Sequence, residues 1–178
     1  MASNQASAGL TYSLTNFASL QIGWTVSGSI TTDGTIGSLS SSNITSWDYT
    51  ATNGVSTFTG ASTTSGAFIN GFDAIGATST SFYVQGQTGH IMLVADAVYS
   101  SLINWNYNQN TYSGQAPAGT LKWNTDPSGQ YVAGEWTIAS RTAGVPEIDP
   151  ATGGSALSLI AGVLAMIEQR RRRAMLVA

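Results

Sequence analysis

His90 is the one imidazole in the chain, and it stands in Gly89-His90 just ahead of an apolar run. A Ser-His-Asp triad is defined by geometry, and no Gly-x-Ser-x-Gly elbow accompanies this histidine. His90 therefore reads as structural. A glycosidase needs two carboxyl groups roughly 5–10 Å apart in a cleft. Asp48 and Glu135 are the acids to weigh, and each stands beside a tryptophan, Trp47 and Trp136, on a predicted strand. Period-2 alternation puts the tryptophans on one face and the acids on the other, so the acids read as solvated or as blunting an edge. The chain has no cysteine, which removes disulfides, thiolate metal sites and cysteine nucleophiles. No phosphate loop, EF-hand or zinc spacing occurs. Neither a cofactor nor a metal is expected, and the protein is not expected to be an enzyme.

Five tryptophans and seven tyrosines offer faces on which sugar rings stack and N–H and O–H groups that bond to them. Trp24, Trp47 and Trp136 fall on predicted strands and read as core. Trp105, Tyr107 and Tyr112 fall in the Asn-, Gln- and Gly-rich stretch 104–119, which reads as a long loop or irregular edge. They are the candidates for exposed glycan contact. Asn43-Ile44-Thr45 matches the N-glycosylation sequon, and nothing marks particular serines or threonines for O-linked sugar.

The elements that must position these residues are strands. Residues 24–30 and 47–51 alternate apolar with small or polar side chains, the pattern of half-buried strands. Asp33-Gly34 reads as a turn, and Asn53-Gly54 as a type I′ hairpin turn returning into 55–59. Further strands are expected near 67–72 and 79–85, with a turn over 86–90. Residues 91–95 form a continuous apolar run, as in a central strand covered on both faces. Residues 121–124 and 131–140 read as a last pair across Asp126-Pro127-Ser128-Gly129. No stretch before Pro146 has a helical period. Eight or nine short strands with frequent turns predict an all-β fold, a β-sandwich or jelly-roll-like domain over 9–142, after a disordered N-terminus over 1–8.

Hydrophobic residues make up 42% of the chain and charged ones 8%, against about 25% charged in average soluble domains. Such a chain can bury a core, and Ser, Thr, Asn and Gly take the surface positions. The residues before Pro146 carry two basic and six acidic side chains, net −4, and the rest carry net +1. With no basic patch to neutralise phosphates, nucleic-acid binding is disfavoured.

Composition changes at Ala143-Gly144-Val145-Pro146, and residues 143–178 form a separate module. A bilayer crossing takes about 20 apolar residues, with a lower limit near 17. The run 153–167 is shorter and holds Ser155 and Ser158. It is expected to be a short hydrophobic helix that spans with local thinning while Arg170, Arg171, Arg172 and Arg173 snorkel to the interface. Positive residues stay cytoplasmic, so the β domain would face outward. Residues Met1–Ser7 have neither the basic n-region nor the apolar stretch of a secretory signal, so export predicts a signal peptide upstream of Met1.

Val145-Pro146-Glu147, a polar spacer, the apolar helix and the terminal arginines, in that order, resemble the PEP-CTERM sorting domain. Ile148, Asp149 and Pro150 complete a Pro-Glu-Ile-Asp-Pro variant of its motif, and Ala174–Ala178 extends past the arginines, where many members stop. Gly23–Gly34 and Ser46-Trp47-Asp48 resemble the β domain common to proteins with this tail. The resemblance implies recognition and cleavage near 145–148 by an exosortase-like membrane protease. It implies a precursor held in the inner membrane through its C-terminal helix, then a mature protein at the cell surface or outside the cell, where the family is associated with exopolysaccharide. A carbohydrate-binding module and a self-assembling surface subunit, hence a homo-oligomer, are the alternative readings of the β domain.

Overall fold

The computed structural model describes residues 9–72, 74–86, 89–129, 134–141 and Met166. Among them lie thirteen strands: β1 (Leu10–Leu14), β2 (Thr25–Thr32), β3 (Gly37–Leu39), β4 (Ile44–Thr52), β5 (Thr57–Ala61), β6 (Phe68–Phe72), β7 (Ile75–Ala77), β8 (Ser81–Gln85), β9 (His90–Val94), β10 (Leu102–Asn106), β11 (Thr111–Ala116), β12 (Thr120–Thr125) and β13 (Glu135–Ser140). They form two antiparallel sheets. One runs β3-β7-β8-β13-β1-β2-β4-β5 and the other β12-β11-β10-β9-β6. This is the expected all-β sandwich, with more strands than the eight or nine predicted.

Alternation explains the core. In β4, Trp47, Tyr49 and Ala51 are buried, while Ser46 and Asp48, on the other face, are exposed. In β13, Trp136 and Ile138 are buried and Glu135 and Thr137 exposed. Side chains of both sheets join one apolar cluster. Its centre is aromatic: Trp123 lies 6.0 Å from both Trp24 and Phe58 and 5.7 Å from Tyr112, and Tyr112 lies edge-on to Trp136 at 6.1 Å. Offset and edge-to-face rings at such separations add to what burial alone contributes. Trp24, Trp47 and Trp136 are thus core, as their strands predicted.

Glycine makes room for several of these rings. Gly60 stands opposite Tyr49, Gly76 opposite Tyr83 and Gly114 opposite Trp123. A Cβ on any of the three would come within 2.5 Å of the facing ring. The aromatic ring covers backbone that glycine leaves bare, which pins the register of each pair. At Gly28 the neighbour is backbone. A Cβ there would sit 2.3 Å from the Asp48 carbonyl oxygen, and φ is +141°.

Four expectations are corrected. Residues 104–119 are not a loop: β10 and β11 form a hairpin inside the five-stranded sheet. Its Asn and Gln alternate with buried Trp105 and Tyr112 and occupy the other face, so a polar composition concealed a strand pair. The segments 121–124 and 131–140 do not pair. β12 bonds to β11, whereas β13 bonds to β8 and β1 in the other sheet. The turn after β4 is shifted by one residue. Asn53 N–H donates to Ser56 O at 3.2 Å, so Gly54 and Val55 are its central residues, and only Gly54 has positive φ. That is the pattern of a type II′ turn, with glycine at the first central position. Asn53 contributes its side chain, whose Oδ1 accepts from Val55 N and Ser56 N. Finally, β9 is interior to its sheet, but Met92 is only half-buried, so one face is less covered than its apolar run predicted.

The chain divides into two units, Met1–Ala143 and Gly144–Ala178. In the second only Met166 is among the described residues, where its backbone is helical and its side chain exposed. The predicted hydrophobic helix otherwise lies outside them, as does the predicted disordered segment 1–8. No helix of the described residues is long and apolar enough to cross a membrane.

Candidate functional site

The hairpin buries two of the three residues expected to contact glycan. Trp105 and Tyr112 are paired across β10 and β11, stack at 5.5 Å with their planes 16° apart, and are each 0% exposed. Tyr107 is half-buried against the core, and its hydroxyl accepts from Gly134 N at 3.3 Å. Trp105 and Tyr112 thus offer no exposed ring face to a sugar outside. Composition had placed them in a polar loop, and only the alternation Ile103–Trp105 could have signalled the strand.

His90 begins β9, half-buried, opposite Asn106 and Phe72. Burial lowers its pKa. Asp48 and Glu135 are exposed, on the faces of β4 and β13 away from the core. Asp48 accepts from Ser29 Oγ at 2.5 Å, a cross-strand tie. Among the described residues no three His, Asp or Glu side chains come together as a metal site.

Asn43, the sequon asparagine, is occupied in holding a loop. Its Nδ2 donates to Asp33 Oδ2 at 3.0 Å, and its Oδ1 accepts from Ser40 N at 2.9 Å. The bond from Asn43 is the largest cause of the lowered Asp33 pKa, followed by the Thr35 backbone.

The outward face of the eight-stranded sheet is the most regular surface. The register aligns Thr57, Thr52 and Thr25 in one row, Thr59, Thr50 and Ser27 in the next, and Ala61, Asp48, Ser29, Ser13, Ser140 and Ser81 in a third. Neighbouring strands lie about 4.8 Å apart, and same-face residues about 6.8 Å apart along a strand. Hydroxyls bond to one another within this lattice: Thr57 Oγ1 donates to Thr52 Oγ1, and Thr11 and Thr31 share a bond, both at 3.0 Å. Composition gave the abundance of serine and threonine. Their gathering on one face needed the register.

The sorting motif of Val145, Pro146, Glu147, Ile148, Asp149 and Pro150, with Arg170–Arg173, lies outside the described residues. Its support comes from comparison. Residues 145–175 match the VPEID-CTERM protein sorting domain. No curated protein and no solved structure matches the chain. The match spans both the motif and the arginines that carried the resemblance. The chain is thus an exported protein, membrane-anchored as a precursor, whose residues 145–175 are a VPEID-CTERM sorting domain, a variant of the PEP-CTERM signal by which an exosortase sorts its substrates.

Proposed function

We propose that the β-sandwich is a non-enzymatic module delivered to the cell surface or the extracellular matrix, and that the tail is its address and temporary anchor. The observation that carries this reading is the sorting domain at 145–175. In it, the apolar run halts transfer, Arg170–Arg173 stay on the cytoplasmic side, and the motif is presented just outside the membrane. Cleavage within 145–148 then frees the sandwich from its anchor.

The sandwich suits such a setting. Its outward hydroxyl lattice is nearly uncharged, so ionic strength changes its interactions little. Its rigidity comes from an aromatic core and from glycine–aromatic pairs, with no need of disulfides.

Mass spectrometry of the mature protein taken from cells tests the proposal. The expected product ends within or close to 145–148 and lacks Arg170–Arg173. Mature protein that keeps its arginines throughout would refute processing. Replacing Pro146 and Glu147 with alanine should leave the precursor in the membrane fraction.

A further inference from the structure

Two asparagines of the chain precede glycine, Asn53 and Asn70. Such a pair holds its own nucleophile beside its own electrophile: the glycine nitrogen can attack the side-chain carbonyl carbon of the asparagine. Glycine places no side chain in the way. The sequence makes the two pairs equivalent, and the fold separates them.

Asn70-Gly71 lies within β6, where Asn70 stands opposite Met92 and Gly71 opposite Ile91. On the other side of β9, Tyr107 N donates to Gly89 O and Ala95 N to Ser101 O. Antiparallel alternation between these fixed points turns the main-chain groups of His90, Met92 and Val94 toward β6. Both main-chain groups of Asn70 are therefore bonded to Met92. Ring closure at Asn70 has to rotate the Asn70–Gly71 peptide out of an extended ladder.

Asn53-Gly54 lies in an exposed turn that is closed by a side chain. Asn53 Oδ1 accepts from Val55 N at 3.0 Å and from Ser56 N at 2.7 Å. Among the described residues nothing bonds to the Asn53 main-chain carbonyl or to its Nδ2. Gly54 N donates to the Thr52 hydroxyl at 3.2 Å. The peptide that has to turn is thus outside any ladder. Two N–H groups already polarise the carbonyl to be attacked, and they meet the charge that develops on Oδ1. The nitrogen that has to leave faces water.

We propose that Asn53-Gly54 is a self-acting modification site, at which the folded protein converts Asn53 to aspartate and isoaspartate while Asn70 persists. Hydroxide takes the Gly54 N–H proton. The nitrogen bonds to Asn53 Cγ, the Cγ–Nδ2 bond breaks, and Nδ2 leaves as ammonia with a proton from water. Water then opens the cyclic imide. Addition at Cγ breaks the new bond and leaves an aspartate side chain on an ordinary peptide. Addition at the main-chain carbonyl carbon breaks the original peptide bond, and the chain then runs through Cβ and Cγ. Hydroxide and water are the only reagents. Either product brings a negative charge into the stretch between Asp48 and Asp73, which otherwise has none. The isoaspartyl product also lengthens the main chain of the turn between β4 and β5.

Peptide mapping by mass spectrometry tests the proposal. The full chain in detergent micelles is aged in mildly alkaline buffer, folded and, in parallel, unfolded in urea. In the folded protein the product should accumulate at Asn53 about tenfold faster than at Asn70 or more, because Asn70 must first open its ladder. In urea the two rates should converge. The folded rate at Asn53 should rise in proportion to hydroxide, and Asn53→Gln, whose ring closure is less favourable, should remove the product. Equal rates at the two positions in the folded protein overturn the proposal. So does an Asn53 that stays intact in the folded protein while the urea-unfolded chain is modified there.

Discussion

The two sheets share one core but finish their outward faces differently. The larger sheet turns short hydroxyl side chains to water, row upon row, with Tyr83 lying over Gly76 as its buried outward aromatic. The smaller sheet carries Phe68, Val94 and Leu102 in one cross-strand row. Val94 and Leu102 are buried yet stand apart from the main core cluster. The loop 95–101 reaches this row at Phe68. Its Tyr99 meets Phe68 edge-on at 4.9 Å, and its Tyr99 carbonyl accepts from Gln115 Nε2 at 2.5 Å. Asp96 braces the loop by accepting from Val98 N, Ser100 N and Ser100 Oγ. A satellite cluster under a loop contributes as core does. One sheet is thus finished by solvation and the other by a strap, and substitutions should separate the two.

The largest effect is expected from backbone contact within the larger sheet. Gly28→Val would force a Cβ to 2.3 Å from the Asp48 carbonyl oxygen and 2.7 Å from Tyr49 Cα, at a φ of +141°. β2 and β4 would have to separate in mid-sheet, so a loss of more than about 4 kcal/mol is expected. Urea unfolding should find little folded protein, and a variant that unfolds cooperatively near the wild-type midpoint would show that the ladder adapts.

Next comes the strapped row. Leu102→Ala removes a buried side chain from this row, for about 2–3 kcal/mol, toward the lower end of core values because it stands outside the main core cluster. A cost below about 1 kcal/mol would mean that the loop is surface decoration, and the contrast between the sheets would shrink.

A smaller effect is expected where the sheets are tied together. Tyr49 rises from β4, and its hydroxyl shares a 3.0 Å bond with Ser101 Oγ just before β10. Tyr49→Phe should lose about 1 kcal/mol at neutral pH. Burial, opposed by the Ser101 bond and aided by Asp96, pushes the Tyr49 hydroxyl up from 10.0 to about 12. Between those values the unfolded chain releases a proton that the native chain keeps, so stability falls as pH rises through that window and is unaffected below it. The phenylalanine variant should show a shallower alkaline loss. An identical slope would place the titration elsewhere.

These contrasts also explain what the sequence could reveal. Trp24-Thr25-Val26 and Glu135-Trp136-Thr137-Ile138 announced their strands because burial and chemistry alternate together. β10 and β11 did not, because asparagine, glutamine and glycine speak for turns, and aromatic rings among them read as surface. The separation of β12 from β13 was hidden for another reason: neighbours in sequence usually pair, and here the chain changes sheet between them. In the tail the order was reversed. A signal read by a membrane enzyme depends on the linear order of motif, apolar run and arginines, so it was legible without a fold. The hydroxyl lattice exists only in the register.

The smallest effect tests the larger sheet most directly. Ser27 is exposed on interior strand β2, opposite Thr50. If its face is finished by water alone, Ser27→Ala removes a solvated hydroxyl and should change stability by less than about 0.5 kcal/mol. The neighbouring Ser29, bonded to Asp48 at 2.5 Å, should cost more when truncated in the same way. A loss above about 1 kcal/mol at Ser27 would require that hydroxyl to hold a partner.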